Sequence, residues 1–189
     1  SMIASKLYSF SSSRKIYPLI TFVFSLIVYL VTMAPTTSFW DCGEFIATAY
    51  TLGVPHPPGT PLYLLIGNVF TTLFFFIEDV GARVNLISPI VSALAVMFLY
   101  LIIVKLIEKF TIYSSKTTIY KSALIGSLLF AFTDSQWFNA VESEVYAMST
   151  LFTALVVWLA LECLDEKKRL RYIILIAYLM GLAIGVHLL

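Results

Sequence analysis

Charge is what this sequence has least of. Asp, Glu, Lys and Arg make up only 12% of its 189 residues, against about 25% in soluble domains. Hydrophobic residues make up 60%, above the about 45–50% of a soluble fold. A soluble fold cannot hide that much apolar surface, so a lipid bilayer is the expected solvent. The basic residues fall in short clusters between apolar runs, which excludes a nucleic-acid partner. Cysteine is scarce too. Cys42 and Cys163 fall on opposite sides of the membrane in the topology below, so no disulfide is expected. No glycine loop able to cradle a phosphate, no metal-ligand spacing and no Ser/His/Asp signature is visible.

What is present is a series of long apolar runs, which predicts an all-α integral membrane fold. Residues 16–34 rise about 28 Å as a helix, enough to span a bilayer. Lys6, Arg14 and Lys15 precede this run and place the N-terminus in the cytoplasm. Residues 1–15 then form a cytoplasmic tail, and Ser1 ahead of Met2 reads as a protease-cleavage scar. Further spans are predicted over residues 84–107, 122–141, 146–163 and 172–189. The chain stops inside the last of these apolar runs, which reads as the truncated end of a longer protein.

Residues 60–77 decide the topology. If they cross, the basic linkers at 105–121 and 167–171 both fall outside, against the positive-inside rule. If they lie along the outer surface or re-enter, 11 of the 12 Lys and Arg residues are cytoplasmic, with Arg83 the exception. The second arrangement is expected. It gives about five transmembrane helices and an outer loop over residues 35–83 that holds two peripheral or re-entrant helices.

That topology collects seven acids at the outer side: Asp41, Glu44, Glu78, Asp79, Asp134, Glu142 and Glu144. Ionisable groups at membrane depth are costly and usually functional. Asp41 and Glu44 are spaced i,i+3, which puts both carboxylates on one helical face. Phe39, Trp40 and Phe45 surround them, so desolvation is expected to raise the pKa of at least one. Such a carboxylate can act as a general base or hold a divalent cation. The structural alternative for Asp41 is helix capping.

His56 lies between prolines in a rigid break and is a candidate for presenting its ring to a substrate. Glu142 and Glu144 point apart on a regular helix, while Glu142 and Tyr146 share a face at i,i+4. Arg83, the cation on the acidic side, pairs with Asp79 or binds an anionic head group. His187, alone in an apolar run, makes a helix–helix hydrogen bond or contacts substrate.

Residues 38–49, Ser-Phe-Trp-Asp-Cys-Gly-Glu-Phe-Ile-Ala-Thr-Ala, followed by His-Pro-Pro-Gly-Thr-Pro-Leu at 56–62, resemble the first outer loop of the GT-C superfamily. These membrane glycosyltransferases use polyprenyl-phosphate sugars. The nearest resemblance is to the transmembrane O-mannosyltransferase family, whose bacterial members were long listed as a membrane domain of unknown function. Residues 141–148 and 177–189 are also similar to that family. The resemblance implies an inverting transferase that moves a sugar such as mannose from a lipid-linked donor to an acceptor hydroxyl of a protein or glycan.

By the same resemblance, Asp41 is the general base. Glu44 stands beside it as a second catalytic carboxylate. His56, Arg83, Glu142, Glu144, Tyr146 and His187 are carried along as substrate-binding candidates. No cofactor is implied beyond the donor, and a divalent metal is left open. The expected location is a bacterial inner membrane with the site facing the periplasm. The alternatives are a transporter or flippase that uses the same acids, which predicts inverted repeats that the sequence does not show, and an assembly module without a site.

Overall fold

The computed structural model describes residues 2–111, 115–166 and 169–187, with residues 2–15 by backbone alone. Ser1, Lys167, Lys168, Leu188 and Leu189 therefore lie outside the described residues. The described residues form helices and no strands: α1 (Met2–Thr32), α2 (Cys42–Thr51), α3 (Pro61–Leu73), α4 (Val80–Asn85), α5 (Ile87–Phe110), α6 (Lys116–Ala131), α7 (Asp134–Ala140), α8 (Val145–Glu162) and α9 (Arg169–Ile184).

Among the described residues, two stretches are long and apolar enough to cross a membrane. One is Val80–Phe110, where α4 runs into α5, with mean hydropathy 2.7. The other is Val145–Glu162, with mean hydropathy 1.7. The other three expected crossings map onto α1, α6 and α9. The apolar part of α1, Ile16–Thr32, is shorter, and α6 and α9 have 16 residues each. The backbone is helical from Met2 through the residues expected to form the tail.

The span expected over residues 122–141 is interrupted. α6 ends at Ala131, and the polar Thr133-Asp134-Ser135-Gln136 stretch starts the short helix α7. Asp and Ser favour helix starts over apolar helix interiors, because their side chains offer the backbone other hydrogen bonds. α7 then ties back to α1, with Trp137 Nε1 donating to Thr32 Oγ1 at 3.0 Å. The Tyr29 hydroxyl donates to the Ala131 carbonyl at 2.8 Å.

α5 is the central helix, packed by α1, α6 and α8, and α9 leans on α8. Alternating helix directions place the ends of α1, α6 and α9 beside the starts of α5 and α8. This end carries Asp41, Glu44, Asp134, Glu142 and Glu144. The opposite end carries Lys105, Lys109, Lys116, Lys121, Arg169 and Arg171, with Lys105 paired to Glu162. Most bases thus gather at one end, where Glu162, Glu108 and Glu166 pair with Lys105, Lys116 and Arg169. Large apolar side chains along α1 and α9, such as Val31 at 80% and Tyr178 at 62% exposure, face outward.

α3 has 13 residues, about 20 Å of rise against a hydrocarbon core of about 30 Å. It packs chiefly on α2 and α4. Its buried residues Tyr63, Leu64, Gly67 and Thr71 form one face. α2 answers with Cys42, Phe45, Ile46 and Ala49, the i, i+3, i+4, i+7 pattern of a helix that buries one stripe. Gly67 sets the approach, since a Cβ there would meet the Ala49 Cβ at 2.7 Å. Gly67→Ala is therefore expected to lower the unfolding free energy by about 1–3 kcal/mol. Gly181→Ala, with nothing within 4 Å of the added atom, is expected to be neutral or stabilising. Denaturant titration of the two variants checks this.

Candidate active site

Two loops and two helix ends build the site. After α1 the chain turns through Phe39 and Trp40, and Trp40 sits at φ 56, in the left-handed region. Asp41 then occupies the N-cap place of α2, but its side chain makes no capping hydrogen bond. Capping is therefore not what holds this carboxylate. One turn later Glu44 is fully engaged by His56. Its Oε1 accepts from the His56 backbone N–H at 2.7 Å, and its Oε2 pairs with His56 Nδ1 at 2.6 Å. The proline-rich break thereby folds back over α2, and the His56 ring lies 6.0 Å from that of Phe45.

These bonds reverse one expectation. Burial was expected to raise one pKa of the Asp41–Glu44 pair, but Glu44 is held below its ordinary 4.5. The hydrogen bonds from the His56 ring and backbone outweigh desolvation. His56 is raised above 6.5 by the same carboxylate. Glu44 contributes above pH 4.5 and loses its contribution as pH falls through its lowered pKa. His56 contributes fully below pH 6.5 and loses its contribution as pH rises through its raised one. The pair is therefore strongest between those two values.

The carboxyl with the raised pKa is Glu144. It is buried at the start of α8, and its pKa is pushed up from 4.5 to about 7. Desolvation is the main cause, followed by the negative charges of Glu142 and Asp41. Because α8 begins at Val145, Glu142 and Glu144 both precede the helix. Glu142 and Tyr146 consequently do not share a helical face, contrary to the sequence reading. Glu142 is 2% exposed, and its Oε1 has no hydrogen-bond partner among the described residues.

Glu144, Asp41 and Tyr146 line one cavity of about 220 Å³ with Trp40, Phe138 and Asn139. Behind it the Tyr146 ring packs edge-on against His187 at 5.3 Å. His187 Nδ1 has no hydrogen-bond partner among the described residues. The structure thus links His56, Glu44, Asp41, Glu144, Tyr146 and His187 in one continuous row. Arg83 belongs elsewhere. Its guanidinium donates to the carbonyls of Ile77, Thr71 and Glu78 at 2.6, 3.3 and 3.3 Å, closing the turn after α3. Asp79 caps α4 through Ala82 N–H at 2.9 Å.

For a divalent ion the one suitable group among the described residues is Asp41, Glu44 and His56, whose ligating atoms lie within 4.8 Å of one another. Two carboxylates and an imidazole suit a first-row divalent metal. The Glu44–His56 bond would have to open to admit one.

Sequence reasoning missed Asn85. This amide is fully buried. Its Nδ2 donates to the carbonyls of Ala34 and Thr36 at 2.8 and 2.9 Å. Its Oδ1 accepts from the Ser143 hydroxyl and from Cys42 Sγ. It therefore joins the Asp41 loop to the Glu144 loop. The available signal was a lone amide at the head of an apolar run, a group that must find partners when buried.

Residues 41–189 match the family described as the protein O-mannosyl-transferase TMEM260 N-terminal domain. The chain belongs to this family. The matched region opens at Asp41 and contains every residue of the row above. Two relatives are similar to this TMEM260-type domain. Protein O-mannosyl-transferase tmem260 of Dictyostelium discoideum is 27% identical over 139 residues, covering 73% of this chain and 16% of the relative. Protein O-mannosyl-transferase TMEM260 of Mus musculus is 28% identical over 160 residues, covering 83% of this chain and 21% of the relative. The chain thus spans about a fifth of their length or less. No solved structure matches it.

Asn85→Leu leaves two carbonyls and a hydroxyl without this partner. Each buried group left unpaired costs about 1–3 kcal/mol, so a loss of roughly 3–9 kcal/mol is expected for the three. Chemical denaturation in lipid measures it, and an unchanged midpoint would mean the two loops are held by something else.

Proposed function

We propose that this chain carries the base-bearing outer loop of a GT-C-type membrane transferase. It moves mannose from a polyprenyl-phosphate donor to a Ser or Thr hydroxyl of a protein. The acceptor oxygen attacks the anomeric carbon and Asp41 takes its proton. The bond to the phosphate oxygen breaks with its electron pair on the departing lipid phosphate, so configuration inverts. A hydroxyl acidifies as the new bond forms, so one positioned carboxylate suffices.

The observation that carries this reading is the placement of Asp41. It is exposed, makes no capping bond, and sits on the rim of a cavity whose other acid is the buried Glu144. Glu44 is the weaker candidate for the base, because His56 occupies both of its oxygens. His56, whose charged form Glu44 favours, is the cation of this cluster. The names of the two relatives support the sugar and the protein acceptor.

In this reading α1, α5, α6, α8 and α9 are five spans, and α2 and α3 lie in the non-cytoplasmic interface. The gathering of most Lys and Arg at one end of the bundle supports this orientation. The bacterial inner membrane gains no support from the two relatives, one amoebal and one mammalian.

Asp41→Asn in the complete protein is expected to lower mannosyl transfer by roughly 100- to 10,000-fold, the worth of a general base, with little change in thermal midpoint. Transfer assays with a polyprenyl-phosphate mannose donor read this directly. Turnover within a few-fold of the parent removes Asp41 from the role.

A further inference from the structure

We propose that the cavity bounded by Trp40, Phe138 and Tyr146 is a pyranose subsite. One monosaccharide ring stacks on the aromatic walls, and its hydroxyls bond to Asp41, Asn139 and Glu144. This deepens the transferase reading and rests on it, since the ring would be that of the transferred sugar.

Size comes first. A cavity of about 220 Å³ holds the volume of roughly seven water molecules, room for one ring and too little for two. The lining chemistry narrows the ligand further. Among the described residues no Lys or Arg lines the cavity and two acids do, so it suits a neutral ring, with the donor's phosphate lying outside it. The same acids and an amide make it unsuited to a purely apolar group. A sugar ring carries an apolar C–H face and a rim of hydroxyls, which matches aromatic walls interrupted by hydrogen-bonding groups.

A second, independent observation is the cost of presenting Trp40. It is 84% exposed and held at φ 56, a conformation a bulky residue rarely adopts. Backbone outliers of this kind concentrate at ligand sites. Phe138 and Tyr146 add two half-exposed rings. Asn139 is fixed in turn, its Nδ2 donating to the Ser135 carbonyl at 2.8 Å.

An organic cation would also suit aromatic walls beside acids. Glu144 argues against it. Its raised pKa near 7 leaves a large share of it protonated at neutral pH, which suits a hydroxyl that both donates and accepts and weakens the pull on a cation.

The test uses the complete protein in lipid nanodiscs, with methyl α-D-mannopyranoside as probe and saturation-transfer NMR as readout. Saturable transfer to the ring protons is expected. Trp40→Ala should weaken binding roughly tenfold, the loss of one stacking contact, and Trp40→Phe should restore most of it. In turnover, Trp40→Ala should raise KM for the donor and leave KM for the acceptor unchanged.

Several results would overturn the subsite. These are no saturable transfer, equal binding by the Trp40→Ala protein, a rise in acceptor KM alone, or tetramethylammonium displacing the mannoside. So would a Trp40→Ala protein altered only in vesicle partitioning, which would mark Trp40 as an interfacial anchor. None of these readouts depends on the Asp41→Asn result, so the subsite and the base role can fail separately.

Discussion

Asn85 is a buried amide at the start of the central helix. Its bonds reach the chain leaving α1, the first residue of α2 and the loop ahead of α8. Asp41 and Glu144 lie 103 positions apart, counted as 144 minus 41, yet they line one cavity because this node pins their loops to the same place. A backbone bond from Ala34 N–H to the Val141 carbonyl at 2.8 Å runs alongside. A buried network of this kind rigidifies only if every member is satisfied, and Asn85 spends both ends of its amide. The far end of α9 is tied in as well, with Leu62 N–H donating to the Gly185 carbonyl at 2.7 Å. That bond brings His187 up to Tyr146.

Around this node the bundle solves a solvation problem. Apolar faces of α1 and α9 stay outward, as they would toward lipid, while Asp41, Glu44, Glu142 and Glu144 gather at one end. There they bond to His56, as Glu44 does, or share a cavity, as Asp41 and Glu144 do. Each environment tunes its carboxyl differently. His56 stabilises the charged form of Glu44, whereas burial and two neighbouring negative charges favour the neutral form of Glu144. The two carboxyls are thereby biased toward opposite protonation states.

Much of this arrangement was legible in the sequence. The positions of α5 and α8 followed from their apolar runs. The non-crossing placement of residues 60–77 was read from the distribution of Lys and Arg, and the helix found there, α3, has 13 residues. The acidic motif after the first helix and the Glu-Ser-Glu stretch were visible as ionisable groups in apolar surroundings.

Other features were not legible. The break between α6 and α7 depends on four polar residues inside an apolar pattern, and hydropathy averages over them. Arg83 read as a partner for Asp79 or for an anionic head group, but its guanidinium closes the turn after α3, a tertiary use that spacing cannot reveal. The opposite behaviour of Glu44 and Glu144 depends on which side chain lies across from each. The Asn85 node joins segments that are far apart in sequence.

The central claim is that Asp41 and Glu144 face one another across a single cavity. The most direct test is the titration of the Glu144 carboxyl by carbon-13 NMR of labelled glutamate, in the parent and in Asp41→Asn. Glu144 is expected to titrate near 7 in the parent and lower once the Asp41 charge is removed, because a neighbouring like charge raises a carboxyl pKa. An unchanged Glu144 midpoint would show that the two acids do not share a site.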